Sequence, residues 1–437
     1  MTYQQAEQYL LSFCNMPRVE YMTDPKHCDT YLKRLQFFLD ILGNPEKKIP
    51  HYIHITGTSG KGSVTSFLHS ILKAGGKKVG STQSPHPTSI IERWKINDRH
   101  MSKKEFVSLV NDIKPKLDDY AKRSPYDMLS FFELVEALGF IYFAKHKVKW
   151  AILEAGCGGR FDSSNIIPHK DVAIITNIGL DHIGVIGKNK QEIAYEKAGI
   201  IKKGAEVFTL ENNSKIFEII KNEGKKHRAP VTQITNPKYQ ITKQELGQTK
   251  FVYKNNEYTL NTSGEHQIKN AILCIEVASS LKIPTNKIQQ GLKNTIQPLR
   301  LEIISKKPLI IIDGAHNEDK IKSTVKTILE LTKNKKMDIN LVVGFSEDKD
   351  TFKMIKGLAK LNPKSIACTR NTVNPFRKVA DPKDMAKLFK KILPETETEI
   401  FLDPGVAFEW GLAKTAKNKG LTLVTGSIFL SGELRNI

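Results

Sequence analysis

The stretch Gly57-Thr58-Ser59-Gly60-Lys61-Gly62-Ser63 follows an alternating segment, His51–Thr56, and precedes Val64, Phe67, Leu68, Ile71 and Leu72 at helical spacing. Glycines between a strand and a helix let backbone N–H groups turn inward around phosphate oxygens, and the helix N-terminus adds partial positive charge. Lys61 can reach terminal phosphates and the Ser63 hydroxyl can ligate Mg²⁺. The strict phosphate-loop spacing would put a glycine at position 55, where this chain has Ile55, so the loop is a variant. An ordinary glycine-rich turn is the competing reading. Strand before, helix after, and Gly-Lys-x-Ser together favour nucleotide binding.

Three further segments fall where strands should end, the usual place for a site in an open α/β sheet. They are Ser84-Pro85-His86, the run Glu154 to Asp162 with its three glycines and Arg160, and Asn177-Ile178-Gly179-Leu180-Asp181-His182. A carboxylate, a hydroxyl and an imidazole can together hold a divalent metal against phosphates. Taken singly, Glu154 reads as a solvated strand end, His182 as a loop residue and Ser84 as a helix cap.

The elements that must position these groups alternate between strand and helix, the pattern of parallel α/β sheets. Val79–Thr82, Trp150–Ala155, Val172–Thr176 and Val207–Leu210 read as strands of a first domain. Phe251–Tyr253 and Tyr258–Leu260 flank Asn255-Asn256 as a hairpin, in an antiparallel insertion before a helix over Glu265–Leu281. A second βα series follows, with strands at Leu309–Asp313, Ile339–Val343, Ser365–Thr369, Glu399–Leu402 and Leu421–Thr425. Helices are expected near 318–333, 350–360, 381–392 and 404–418. The boundary falls near Gln297-Pro298, giving domains 1–297 and 298–437.

Composition narrows the class. The 437 residues suit two domains, and 40% apolar against 26% charged residues excludes wholesale disorder. The most apolar run, Leu129 to Phe143, is too short to span a bilayer and contains Glu133 and Glu136. The N-terminus lacks a secretory pattern, and five scattered cysteines without C-x-x-C spacing fit a reducing cytoplasm. The net charge of +21 is spread along the chain rather than concentrated among aromatics. It therefore points to a polyanionic small molecule before nucleic acid.

The ordered motifs resemble the folylpolyglutamate synthase/dihydrofolate synthase family of the Mur-ligase superfamily. Gly-Thr-x-Gly-Lys-Gly-Ser, Ser-Pro-His, Glu-x-Gly-x-Gly-Gly-Arg-x-Asp, Ile178 to His182 and Glu196-Lys197-Ala198-Gly199-Ile200 carry the likeness in the first half. Gly264 to Gln267 with Asn270, Asp313-Gly314-Ala315-His316-Asn317, Asp348-Lys349-Asp350 and Thr425-Gly426-Ser427 carry it in the second. The resemblance runs from about Leu32 to Arg435. It implies an N-terminal phosphate-loop ATPase domain with a mainly parallel sheet and a C-terminal Rossmann-like α/β domain.

It also implies an ATP-dependent amide ligase. Such an enzyme phosphorylates a carboxylate of dihydropteroate or a folate, and the L-glutamate amine then displaces phosphate from the acyl phosphate. By matching positions, Gly57, Thr58, Gly60, Lys61, Gly62, Ser63, Asn270, Arg300 and Asp313 would meet ATP. Ser63, Ser84, Glu154, His182 and Lys197 would serve Mg²⁺, with Lys197 carboxylated by CO₂ to an anionic carbamate. Lys61, Lys197 and His182 would be catalytic. Ser130, Phe131, Phe132, Glu133, Phe161, Asp162 and Ser163 resemble pterin contacts, and His316 and Ser427 lie in motifs tied to glutamate.

Departures from the family pattern are Ser59 in place of asparagine, Glu318 where a proline is usual, and the segment Gln297 to Glu302. That segment lacks a tryptophan and the glycine before Arg300. The alternatives are a Mur-type ligase for another acid and a basic phosphate-loop ATPase that binds nucleic acid. A monomer acting on small molecules, with neither nucleic acid nor membrane as partner, suffices for the leading reading. The motifs leave open which folate is used.

Overall fold

The computed structural model describes residues 1–17, 27–180, 184–333, 337–374 and 378–435. His182 and Asp181 lie outside the described residues. Contacts group the chain into two compact α/β units, Met1–Lys238 with Lys269–Leu292, and Tyr239–Ile268 with Lys293–Ile437.

The first unit holds an eight-stranded sheet. Its strands are β1 (His51–Thr56), β2 (Val79–Thr82), β3 (Trp94–Ile96), β4 (Arg99–His100), β5 (Trp150–Glu154), β6 (Val172–Ile175), β7 (Glu206–Thr209) and β8 (Val231–Gln233). The spatial order is β4-β3-β2-β5-β1-β6-β7-β8, and every pair from β2 to β8 is parallel. Helices cover both faces, so β2, β5 and β6 are buried throughout, as parallel strands require. One apolar cluster gathers Phe38, Trp94, Phe106, Leu138 and Phe143; another lies beneath Ile193, Ile200 and Val207.

Register is what serves function. Ile55 pairs with Glu154, Thr56 with Ile175, and Thr82 with Leu153. The C-terminal ends of β1, β2, β5 and β6 therefore lie side by side. The segments after them, singled out above for their chemistry, emerge along one edge.

The second unit contains two sheets. β9 (Tyr239–Glu245), β10 (Gln248–Tyr253) and β11 (Asn256–Leu260) form an antiparallel meander. The hairpin turn sits at Lys254 and Asn255, with φ of 47° and 62°, one residue earlier than the sequence suggests. Positive φ at both central residues matches the twist of the flanking strands. β12 (Glu302–Lys306), β13 (Leu309–Ile312), β14 (Ile339–Val343), β15 (Ser365–Cys368), β16 (Glu397–Ile400) and β17 (Leu421–Thr425) form a six-stranded sheet in the order β12-β13-β17-β14-β15-β16. It is parallel except for β12. The strands missing from the sequence reading are β3, β4 and β12. β4 and β12 lie at sheet edges, where half-exposed positions blur the alternation. β16 begins two residues earlier than expected for the same reason.

Candidate active site

At the end of β1 the chain turns through Gly57 (φ 145°) and Gly60 (φ 88°) into the helix Lys61–Ala74. A methyl group at position 57 would sit 1.8 Å from Thr176 Oγ1, and one at position 60 would sit 2.7 Å from Asn270 Oδ1. Only glycine fits either place. The loop after β6 braces this turn. Thr58 N–H donates to the Asn177 carbonyl (2.9 Å) and Ser59 N–H to Asn177 Oδ1 (2.8 Å). Thr176 Oγ1 donates to the Ser59 carbonyl (2.6 Å), and Gly179 N–H to Thr58 Oγ1 (2.8 Å).

The helix Lys61–Ala74 has no side-chain cap, because Gly60 occupies its N-cap position. Its first N–H groups have no partner within the helix, and with the helix dipole they present a site for an anion. Two lysines converge beneath the turn. Lys61 Nζ donates to the Gly57 carbonyl at 2.8 Å, and Lys197 Nζ, from the helix Lys190–Ala198, donates to the same oxygen at 3.1 Å. Lys197 is only 2% exposed. Its neighbour Glu196 is pushed above the usual carboxyl range by burial, against the pull of Arg160 and Lys197.

Oxygen ligands gather next to this turn. Ser63 and Glu154 are buried, and Ser84 N–H points to Glu154 Oε2 at 3.4 Å. Hydroxyl and carboxylate oxygens suit a hard cation. Among the described residues no group of three His, Cys, Asp or Glu side chains is placed to hold a metal alone. Two hydroxyls and one carboxylate suit Mg²⁺ that arrives with phosphate oxygens.

Beyond Ser84 lies a buried charged group that motif reading did not find. Arg93 Nε donates to His86 Nδ1 at 2.8 Å, and the Arg93 guanidinium stands 6.0 Å from the Phe131 ring centroid. Burial lowers Arg93 to about 10, while burial and then Arg93 lower His86 to about 3. Burial raises the Glu136 carboxyl to about 8, with Asp162 adding to the shift and Arg93 opposing it. Glu136 Oε1 has no hydrogen-bond partner. Its trace in the sequence is a second carboxylate, after Glu133, inside the mostly apolar helix Phe131–Lys145.

Of the expected acceptor contacts, Phe132 is 62% exposed and packs edge-on against Phe131, with centroids 5.5 Å apart. Phe161 and Ser163 are half-buried. Ser130 caps the Phe131–Lys145 helix, in a capping box closed by Glu133. Arg34 binds the Glu133 carboxylate through Nε (2.9 Å) and Nη2 (2.6 Å). Ser130 and Glu133 thus have structural partners of their own. Asp162 accepts Cys157 N–H at Oδ2 (2.8 Å) and Ser164 N–H at Oδ1 (3.0 Å).

In the second unit the expected residues sit within turns. Asp313 Oδ2 accepts Leu301 N–H (3.0 Å), while Oδ1 accepts Ala315 N–H (3.1 Å) and the Thr324 hydroxyl (2.7 Å). His316 Nδ1 bonds the Gly314 carbonyl (2.8 Å), and Lys320 Nζ lies 2.9 Å from Nε2. Burial and then Lys320 hold this imidazole well below its usual range. Ser427 caps the helix Ile428–Leu434. Arg300 is flanked by Leu299 (φ 57°) and Leu301 (φ 49°), both in the left-handed region. Each costs about 1–2 kcal/mol, and burial of both side chains offsets it. The missing glycine before Arg300 is thus replaced by a leucine that adopts the glycine-like conformation.

Comparison with known proteins places these geometries. The Mur ligase middle domain model matches residues 55–278, and the Mur ligase, glutamate ligase domain model matches residues 299–428. Dihydrofolate synthase/folylpolyglutamate synthase of Bacillus subtilis (strain 168) is 32% identical over 418 residues, covering 92% of this chain and 94% of that protein. Folylpolyglutamate synthase of Lacticaseibacillus casei is 30% identical, covering 80% of this chain and 81% of its own length. The structure of Mycobacterium tuberculosis folylpolyglutamate synthase complexed with ADP and AMPPCP superposes with a TM-score of 0.82 at 26% identity, covering 93% of this chain and 94% of that one.

Proposed function

Because the chain belongs to the dihydrofolate synthase/folylpolyglutamate synthase family of ATP-dependent Mur ligases, we propose that it joins L-glutamate to dihydropteroate, a reduced folate, or both. The convergence of an uncapped helix N-terminus, Lys61 and Lys197 on Gly57, next to Glu154 and Ser84, carries this reading. A carboxylate resists nucleophiles because of its charge. Transfer of the γ-phosphoryl group to its oxygen yields ADP and an acyl phosphate. The glutamate amine then attacks the carbonyl carbon and inorganic phosphate leaves.

The chain's own part is to hold charge in place. The N–H groups of Gly60 to Ser63 cradle phosphate, Lys61 meets the terminal phosphates, and Asn270, against Gly60, borders the nucleotide. Arg300 and Asp313 complete the ATP contacts from the second Mur ligase domain, which begins at Pro298 in this reading. Mg²⁺, when bound, would neutralise phosphate charge, and Ser63, Ser84, Glu154, His182 and Lys197 (as a carbamate) would hold it. Phe131, Phe132, Phe161, Asp162 and Ser163 face the acceptor ring, with Ser130 and Glu133 behind them, and His316 and Ser427 serve the glutamate side.

The enzyme works as a monomer in the cytoplasm on small molecules, without a nucleic-acid or membrane partner. The five cysteines are free, and no helix among the described residues is long and apolar enough to cross a membrane.

The test is ADP release with ATP, Mg²⁺ and L-glutamate, supplied separately with dihydropteroate and with tetrahydrofolate, while mass spectrometry follows the gain of one glutamyl unit. Turnover with either acceptor supports the assignment, and ADP release with neither by folded protein rejects it. The carbamate is tested by ¹³C NMR after incubation with labelled bicarbonate. A carbamate carbon absent from both wild type and Lys197→Ala would remove that proposal.

A further inference from the structure

Behind β1 a line of buried polar side chains runs from the sheet interior to the candidate site. Lys170 Nζ lies 2.8 Å from His54 Nδ1, and His54 Nε2 lies 2.8 Å from Ser164 Oγ. Ser164 Oγ bonds Asp162 Oδ1. All four side chains are at least nine-tenths buried. The residues come from β1, from the turn Ser163–Ile166 and from the segment leading into β6, so the line exists only in the folded sheet.

Its direction follows from its last member. The Asp162 carboxylate only accepts, and it already takes two backbone N–H groups. Ser164 must therefore donate to Asp162, which makes Ser164 Oγ the acceptor of a proton on His54 Nε2. His54 Nδ1 is then unprotonated and accepts from Lys170. Every proton along the line points toward Asp162. Lys170 needs only two N–H bonds to serve, one to His54 and one to Asn165 Oδ1 (2.8 Å). Asn165 in turn donates to the carbonyls of Arg160 (3.0 Å) and Gly199 (3.1 Å), and Lys202 donates to the Asn165 carbonyl (2.8 Å). The same residues thus hold the carboxylate and the backbone on either side of it.

The effect on Asp162 is specific. Oδ1 has both acceptor positions filled, by the Ser164 N–H and hydroxyl. Oδ2 has one filled, by Cys157 N–H, and one left over. That oxygen lies beside exposed Gly156, where a Cβ would sit 3.5 Å from Asp162 Oδ2 and 3.9 Å from Ser84 Oγ. The oxygen with the open acceptor position therefore lies beside Gly156, near the serine proposed as a metal ligand.

We infer that Lys170, His54 and Ser164 are positioning residues that present one Asp162 oxygen to a ring N–H donor of the acceptor acid. The inference rests on the reading of Asp162 as an acceptor contact and adds the machinery that makes it selective for acceptors bearing such a donor. None of the three side chains is asked to touch the nucleotide.

The test measures KM for tetrahydrofolate and for ATP separately, with thermal midpoints, in Ser164→Ala, Ser164→Thr, Lys170→Met and the Ser164→Ala/Lys170→Met double variant. Loss of one hydrogen bond to a charged group corresponds to about a tenfold effect. Ser164→Ala is expected to raise KM for tetrahydrofolate about tenfold with KM for ATP within about twofold, and Ser164→Thr to restore it. The double variant is expected to be no worse than the worse single, because the line acts as a unit. Should Lys170→Met fail to fold, the serine pair decides alone. An unchanged tetrahydrofolate KM in Ser164→Ala, a rise shared equally with ATP, or additive losses in the double would overturn the inference. Should wild type turn over dihydropteroate alone, KM for dihydropteroate replaces that for tetrahydrofolate under the same criteria. Wild-type protein that turns over neither acceptor would overturn the ligase reading, and this inference with it.

Discussion

The helix start at the phosphate loop differs from the helix starts of the second unit. In the second, Asn317, Asp350, Asp381, Asp403 and Ser427 each cap a helix with their own side chain, and Asp313 holds a turn with both carboxylate oxygens. At the phosphate loop of the first unit the N-cap is Gly60, which offers no side chain to the N–H groups behind it. A helix that leaves its first turn uncapped forgoes about 1 kcal/mol, and the structure recovers it by bracing the loop with Thr176, Asn177 and Gly179. The contrast separates hydrogen bonds satisfied within the protein from those left for a ligand.

The sharpest way to break this contrast is Lys61→Ala. Loss of the charge that faces terminal phosphates should lower kcat/KM about 10³-fold, with the thermal midpoint nearly unchanged. A variant that melts early and turns over normally would make Lys61 a structural residue. Asp313→Ala should add a loss of stability to a higher KM for ATP. Three donors lose their buried acceptor, so stability should fall by about 3 kcal/mol in urea unfolding. An unchanged midpoint with a higher KM for ATP would assign that carboxylate to the nucleotide alone.

Glu136 belongs to neither class, since its Oε1 is buried with no partner. Its carboxyl is raised from 4.5 to about 8, so the fold holds a proton that the unfolded chain releases. Wild-type stability therefore falls as pH rises from about 4.5 to about 8. Glu136→Gln should gain about 3.5 kcal/mol more over wild type at pH 8 than at pH 5. Equal gains at both pH values would remove titration as the cause. The smallest effect is expected for Ser427→Ala, about 1 kcal/mol from a lost cap. A glutamate KM that rises far more than stability falls would give Ser427 a ligand role as well.

How much was legible depended on whether a residue's role is local. Gly57 to Ser63, Glu154 and Lys197 belong to strings whose spacing reports a strand–turn–helix unit, and the structure brings them to adjoining strand ends. The helix starts at Ser130 and Asn317 follow ordinary capping chemistry. Arg34, Arg93, His54 and Lys170 carried no such signal. Arg34 meets Glu133 across 99 positions, and Lys170 meets His54 across 116. No periodicity within either segment encodes its partner.

From residue order alone came the alternation of strand and helix, the phosphate loop and its lysine, and the family to which the chain belongs. These depend on hydrophobic period, on glycine's freedom at positive φ and on short spacing, all properties of neighbouring residues. Tertiary structure decided that Ile55 lies opposite Glu154 and Thr56 opposite Ile175. It also decided that Lys61 and Lys197 share one carbonyl, and that a buried line of side chains ends on Asp162. Those facts follow from sheet register and from the need of each buried polar group for a partner, and that partner is chosen only when distant segments pack.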